Sequence, residues 1–271
     1  MQPLQIAICV KPVPDPKEST QLQINPTTKT LVRKGIPLVI NPMDRNALEA
    51  GVKLKEANGG KVTVFSMSPP EGELTMLETL ALGADEAILL SDLIFAGGDT
   101  LATARVLAAG IKAQGNWDLV ICGAESFDGG TAQVGAQLAV LLGTPWITRV
   151  SHLKRVDDKH LLVTVEDEVE QRELLVQLPV VLTVESVVNQ ARPLSLWGIV
   201  EARNKKITVY NADTLKLDQK GIGLDGSPTQ TRDLFAPDAS REAEILTGDS
   251  PQQIANQLLD KIGWSRKGAA N

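Results

Sequence analysis

DLVICGAESFDGGTAQVG, residues 118–135, joins an apolar run to a glycine-rich loop and then to a helical pattern. The run Asp118–Cys122 reads as a buried strand, because Leu119, Val120 and Ile121 follow one another without a polar break. The loop Gly123–Gly135 leads into a helix read over Thr131–Leu142. Backbone N–H groups at a helix start have no partner inside the helix, and the positive end of its dipole lies behind them. Such a start holds phosphate without needing a lysine. Gly129 and Gly130 permit a ligand to approach the backbone closely, while Thr131 offers a hydroxyl and Gln133 an amide. The Lys-Ser/Thr pair of a Walker loop is missing, and so is the spacing G-x-G-x-x-G. The competing reading is a glycine turn that only redirects the chain.

The same alternation of strand and helix extends back to the N-terminus. Gln5–Val10, Lys61–Ser66 and Ala87–Leu90 are further short apolar strands. Met1–Val10 has no basic leader followed by a cleavage site, and reads as a buried strand instead of an export signal. Asn41 reads as the cap of a helix, with Pro42 at its first position and Asp44 in its first turn. Leu48, Gly51, Val52 and Lys55 share a face of that helix, which Asn58-Gly59-Gly60 ends. Gly72–Leu82 carries Leu74, Leu77 and Ala81 at helical spacing, and Asp99 caps a helix to about Gln114 with Val106, Leu107 and Ile111 inward. This order predicts an α/β fold, a Rossmann-like and mostly parallel sheet with helices on both faces. Ligands of such sheets bind beyond the carboxyl ends of the strands. Lys11, Met67 and the segment Phe95–Thr103 fall there, so Asp99, Thr100 and Thr103 face a ligand from a second helix start, unless Asp99 is a plain cap.

Beyond Pro145 the pattern changes. His160–Glu166 and Glu170–Val176 read as a β-hairpin about Asp167-Glu168, and the acidic cluster Glu166–Glu173 as a solvated sheet edge. Val180–Glu185 returns as a core strand. From Asn189 no long regular pattern appears until a helix near Pro251–Ile262. The stretch holding Gly221, Gly223, Gly226, Pro228 and Pro237 is expected to bury little by itself, as a tail or as an extended C-terminal arm that orders against a partner. The expected organisation is a nucleotide-binding α/β domain over 1–190 and a recognition loop plus arm over 191–271.

Composition narrows the function. A net charge of −6 and only 3% aromatic residues in 271 disfavour nucleic acid, which wants a basic face and stacking platforms. No apolar run reaches the roughly 20 residues that span a bilayer. Two cysteines, Cys9 and Cys122, make neither a disulfide framework nor a four-ligand zinc site, so a reducing cytoplasmic setting is expected. His152 and His160 lie in polar stretches and read as surface residues, which leaves little material for a Ser-His-Asp or metal-hydrolase mechanism.

Four stretches occur in one order: VKPVPD (Val10–Asp15), GIPLVINPMDRNALEAGVKLKE (Gly35–Glu56), SDLIFAGGDTLATA (Ser91–Ala104) and DGGTAQVG (Asp128–Gly135). Through them the chain resembles, over nearly its whole length, the beta subunit of electron transfer flavoproteins. The resemblance implies a heterodimer with an alpha subunit that carries the electron-transferring FAD, embraced by the C-terminal arm of beta. It also implies a second nucleotide on beta. That nucleotide is AMP in one branch. In the other it is a second FAD, which takes hydride from NADH and divides the electrons between a high- and a low-potential acceptor. Asp128–Gly135 is similar to the FAD-type pattern Asp-Gly-Asp-Thr-Ala-Gln-Val-Gly, as is Asp99-Thr100 with Ala102-Thr103. The departures are Gly130, where an aspartate is usual, and Ala124-Glu125, where a basic residue and glutamine are usual.

On this resemblance the nucleotide is held by Cys9, Lys11, Asn41, Asp44, Met67, Asp99, Thr100, Thr103, Cys122, Gly123, Asp128, Gly129, Gly130, Thr131, Ala132, Gln133 and Val134. NQARPLSLWG (Asn189–Gly198) resembles the loop by which the family inserts an exposed leucine into its partners. Leu196 and Trp197 stand in that place, with an ordinary core leucine as the alternative. The partners implied are the alpha subunit and an acyl-CoA-type dehydrogenase or another flavin or quinone redox protein, none requiring membrane embedding. The chemistry implied is that of electron bifurcation on bound flavin, not of side-chain catalysis.

Overall fold

The computed structural model describes residues 2–21, 23–24, 31–32, 35–166, 169–232 and 243–264. Its strands are β1 (Leu4–Cys9), β2 (Pro12–Pro14), β3 (Gln23–Ile24), β4 (Leu31–Val32), β5 (Leu38–Ile40), β6 (Gly60–Met67), β7 (Glu86–Leu90), β8 (Leu119–Gly123), β9 (Trp146–Arg155), β10 (His160–Glu166), β11 (Gln171–Gln177), β12 (Val180–Val184) and β13 (Ile207–Tyr210). Its α-helices are α1 (Pro42–Asn58), α2 (Glu73–Ala81), α3 (Thr100–Ala113), α4 (Val134–Leu142), α5 (Leu196–Ala202) and α6 (Pro251–Lys261).

Among the described residues one nine-stranded sheet dominates, in the order β11-β10-β9-β12-β8-β1-β6-β7-β13. From β9 to β13 every neighbouring pair is parallel, and the β10–β11 hairpin adds antiparallel strands at one edge. The sheet is the α/β, Rossmann-like arrangement expected from the alternation of apolar runs. Alternate residues of each strand feed opposite faces. Ile6, Ile8, Val62, Val64 and Ile121 pack with Leu48 and Val52 of α1 and Met76 and Leu80 of α2. Ala7, Cys9, Phe65, Val120 and Cys122 pack with Val106, Leu107 and Ile111 of α3 and Leu138 of α4. Both faces are therefore covered, which is why the strands read as continuous apolar runs.

The chain steps outward from β1 to β6 and β7, then α3 carries it across the other face to β8, on the opposite side of β1. The strand order thus reverses between β1 and β8, and in open α/β sheets ligands bind in the crevice beyond the carboxyl ends at such a point.

Several expectations need correction. Leu74 is exposed, and α2 turns Met76 and Leu80 inward instead. Helix α4 begins at Val134, so Thr131, Ala132 and Gln133 belong to the loop. Strand β9 was not evident in the sequence, because Arg149, Ser151, His152 and Lys154 break its apolar pattern; only Val150 and Arg155 are buried along it. Strand β13 pairs with β7, and Ile222 is buried against the α3 face, so the glycine-rich stretch near 221–226 buries an anchor within its own fold. The hairpin residues Asp167-Glu168 and Pro237 lie outside the described residues.

The chain divides into two compact units, Met1–Leu234 and Phe235–Asn271. In the second, Ser250 caps α6 by accepting from Gln253 N–H, and Lys261 pairs with Glu244. Leu258, Ile262 and Trp264 are exposed there. Among the described residues no helix is long and apolar enough to cross a membrane.

Candidate nucleotide-binding site

The crevice is built by residues that leave β1 and β8 and by the start of α1. Asn41 stands at the cap position of α1, with Pro42 following, but its side chain makes no cap bond. Its Oδ1 accepts from Phe127 N–H at 2.9 Å and its Nδ2 donates to Glu125 O at 2.9 Å. The amide is therefore a two-point tether for the Gly123–Gly135 loop.

One turn on, Asp44 Oδ2 accepts from Lys11 N–H at 2.8 Å and Oδ1 from Gly123 N–H at 2.9 Å. This carboxylate ties the ends of β1 and β8 to the helix between them. Burial pushes its pKa up from 3.8 to about 6, against the lowering effect of the two backbone bonds and of Asn41. Gly123 is required here by space: a Cβ would lie 2.5 Å from Asp44 Oδ1 and 2.8 Å from Met43 Cβ.

Lys11 reaches over the loop, where its Nζ donates to Ser126 Oγ at 3.2 Å and pairs with Asp128. Gly130 N–H closes a turn onto Ser126 O at 2.8 Å. Gly130 and Ala132 both have positive φ, 55° and 53°. A non-glycine residue in that region stores strain and concentrates at binding sites. Among the described residues no acceptor meets the backbone N–H of Thr131, Ala132 or Gln133, and Gln133 gives α4 no side-chain cap. Thr131, Ala132 and Gln133 are all exposed. Unpaired N–H groups on exposed backbone just ahead of an uncapped helix start are what an anion cradle requires.

The start of α3 joins this edge, since Thr100 Oγ1 donates to Gln133 Oε1 at 2.9 Å. Asp99 is fully engaged: Oδ1 caps Leu101 and Ala102 N–H at 3.0 Å, and Oδ2 accepts from Thr229 N–H and Oγ1. Burial is the largest single influence and raises its pKa, but the bonds from Ala102, Thr229 and Leu101 together outweigh it and hold the carboxyl below its usual range. Thr103 lies one turn further along α3, and Met67 ends β6. Cys9 and Cys122 are free, buried neighbours beneath the crevice. The hydrogen bond between them, and then burial, pushes the Cys9 thiol well above its usual pKa.

The structure thus gathers the nucleotide residues read from the sequence along the carboxyl edge of the sheet. Sequence reasoning passed over Ser126, Ser227 and Thr229. Ser227 Oγ accepts from Asp99 N–H at 2.8 Å, so the segment after Gly226 straps the start of α3. Only the Gly and Ser content of that stretch signals a turn. Leu196 and Trp197 are elsewhere. Leu196 is 86% exposed and Trp197 71%, at the start of α5 beside the end of α2, so Leu196 is not a core leucine.

The model of the electron transfer flavoprotein domain matches residues 28–215. The caffeyl-CoA reductase-Etf complex subunit CarD of Acetobacterium woodii is 41% identical over 260 residues, covering 96% of this chain and 98% of that protein. The electron transfer flavoprotein subunit beta of Thermoanaerobacterium thermosaccharolyticum is 43% identical over 261 residues, again covering 96% and 98%. Protein FixA of Bradyrhizobium diazoefficiens is 38% identical over 262 residues, covering 94% of this chain and 90% of its own. With a matching domain and relatives aligned from end to end, the chain belongs to the electron transfer flavoprotein family as a beta subunit.

Proposed function

We propose that this beta subunit holds a second FAD in the crevice between β1 and β8, next to an alpha subunit that carries its own, and takes part in NADH-dependent electron bifurcation. The observation that carries this reading is the loop Gly129–Gln133, with unpaired N–H donors at Thr131, Ala132 and Gln133, no side chain at either glycine, and a methyl at Ala132. That loop fits a diphosphate and its ribityl extension, which need backbone donors and room. The resemblance of Asp128–Gly135 to the FAD-type pattern supports FAD over AMP. The 41% identity to a subunit whose name places it in a caffeyl-CoA reductase-Etf complex supports a reductase or dehydrogenase as redox partner.

When bound, the flavin supplies hydride acceptance from NADH and release of electrons to separate acceptors. The chain's own residues bind and orient. Asn41 and Asp44 fix the loop to α1, Lys11 holds Asp128 in place, and the N–H groups at 131–133 meet the phosphates. Buried Cys9 and Cys122 exclude water beneath the site. The exposed Leu196–Trp197 pair serves as the anchor for an acyl-CoA-type dehydrogenase or another flavin or quinone redox partner, since exposed large apolar groups make interface hot spots. The apolar residues of α6 serve as part of the arm on the alpha subunit. A reducing cytoplasmic setting is supported by two free cysteines.

The test is to purify the heterodimer, denature it, and quantify released FAD and AMP. Two FAD and no AMP per heterodimer is expected; one of each overturns the FAD reading in favour of the AMP-type scaffold.

A further inference from the structure

The segment that carries Leu196 is held by an unusual density of polar contacts to α1. Glu49 on α1 is charged yet only 4% exposed, and its Oε2 accepts from Arg192 Nε at 2.7 Å and from Arg192 N–H at 3.2 Å. The same guanidinium reaches Glu56, Nη1 to Oε1 at 2.7 Å and Nη2 to Oε2 at 2.9 Å, so Arg192 bridges two carboxylates about two helical turns apart. Lys53 adds a second cation to Glu49 at 3.4 Å. Upstream, Asn46 and Asn189 exchange bonds: Asn46 Nδ2 donates to Asn189 O at 2.8 Å and Asn189 Nδ2 to Asn46 O at 3.0 Å. Arg45 Nη2 donates to Arg192 O at 3.3 Å.

Stability alone is a poor account of this arrangement, because Glu49 is buried while Arg192 and Glu56 are partly exposed, and an ion pair gains little net stability in either setting. What it does supply is a defined pose. Residues 189–195 have no strand or α-helical ladder of their own, and Leu196, four residues beyond Arg192, is almost fully exposed. An anchor on an unrestrained loop loses affinity to the ordering of that loop on binding, and a preorganised one does not.

We propose that Glu49 is a positioning residue for partner docking: through Arg192 it fixes the Asn189–Ser195 segment on α1, so that Leu196 and Trp197 meet an apolar cavity of the redox partner in one preset pose. This rests on the docking role given above to Leu196. Glu49 touches neither partner nor nucleotide; it acts through Arg192.

The test uses the heterodimer as electron acceptor for an acyl-CoA dehydrogenase, with KM for the heterodimer and kcat measured separately. Glu49→Gln is expected to raise KM about tenfold while kcat at saturation and flavin content stay unchanged. Hydrogen exchange at residues 190–198 should rise in the same variant. In a Leu196→Ala background, Glu49→Gln should raise KM no further, because both changes remove one interaction. A wild-type KM in Glu49→Gln, or full additivity with Leu196→Ala, overturns the positioning role alone. An unchanged KM in Leu196→Ala overturns the docking reading, and the positioning role with it. If Glu49→Gln fails to fold, Arg192→Gln carries the same expectations, since it leaves Glu49 with Lys53 as counter-charge.

Discussion

Asp44 and Gly123, 79 residues apart, meet through one hydrogen bond of 2.9 Å from the Gly123 N–H to the Asp44 carboxylate. The bond sits where the strand order reverses, and a second one from Lys11 N–H makes the carboxylate the common acceptor for both strand ends. A charge held this deeply costs stability when ionised, and that cost is measurable as a function of pH.

The Asp44 pKa is about 6 in the folded chain against 3.8 for the free group, so folding takes up a proton between those values. The stability this contributes is fully present below pH 3.8 and is lost as pH rises through 6. A shift of this size corresponds to about 3 kcal/mol. Urea unfolding of the wild type and Asp44→Asn from pH 4 to 7 should show the wild type gaining on the variant by about that amount as pH falls. A difference that stays flat with pH would mean Asp44 does not titrate in this window.

Gly123→Ala should destabilise the first unit by about 1–3 kcal/mol, as overpacking does, since the new methyl meets the Asp44 carboxylate and Met43. Gly143→Ala is the contrast. Gly143 ends α4 with φ of 72° and open space around it, so its cost is conformational alone, roughly 1–2 kcal/mol. Equal, negligible effects in urea titration would sink the steric argument at Gly123.

Asn41→Ala removes both tethers to the loop, at Glu125 O and Phe127 N–H. Retention of the beta nucleotide through gel filtration should fall, with stability reduced by about 1–3 kcal/mol for the bonding groups left unmet. Flavin on the alpha subunit should be unaffected. Retention at the wild-type level would show that the loop holds its shape unaided.

Gly129→Val places a branched side chain where even a Cβ lies 3.0 Å from Ser126 Oγ and 3.7 Å from Lys11 Nζ. The beta nucleotide should be lost while the heterodimer still assembles. Full nucleotide content in the purified variant would remove the loop from the site.

The sheet was legible because strands covered on both faces carry near-continuous apolar runs, as in β1, β7 and β8, and as β6 does apart from Lys61, Thr63 and Ser66. The loop's place between β8 and α4 was legible because glycines between an apolar run and a helical pattern mark a turn. The two strands of the nine-stranded sheet that escaped, β9 and β13, sit where that rule weakens: β9 exposes much of its length, and β13 is a four-residue edge strand; the short strands β2 to β5 were not read either. Asn41 was recognisable as a cap by position, yet its amide bonds a loop more than 80 residues away, and no local pattern encodes that. The second role of Asp99, gripping Thr229, is hidden for the same reason. Glu125, one of the departures from the FAD-type pattern, is exposed and contributes its carbonyl to the tether.

Helix α1 begins at the loop, where Asn41 and Asp44 hold Glu125, Phe127 and Gly123, and near its far end Arg192 grips Glu56. Asp44 and Glu56 are 12 residues apart, about 18 Å along the axis. On the proposed function, a cofactor at one end and a protein at the other would not compete for space, so exchange of the small molecule would not require the large one to leave, and the helix between them is an element that both would feel.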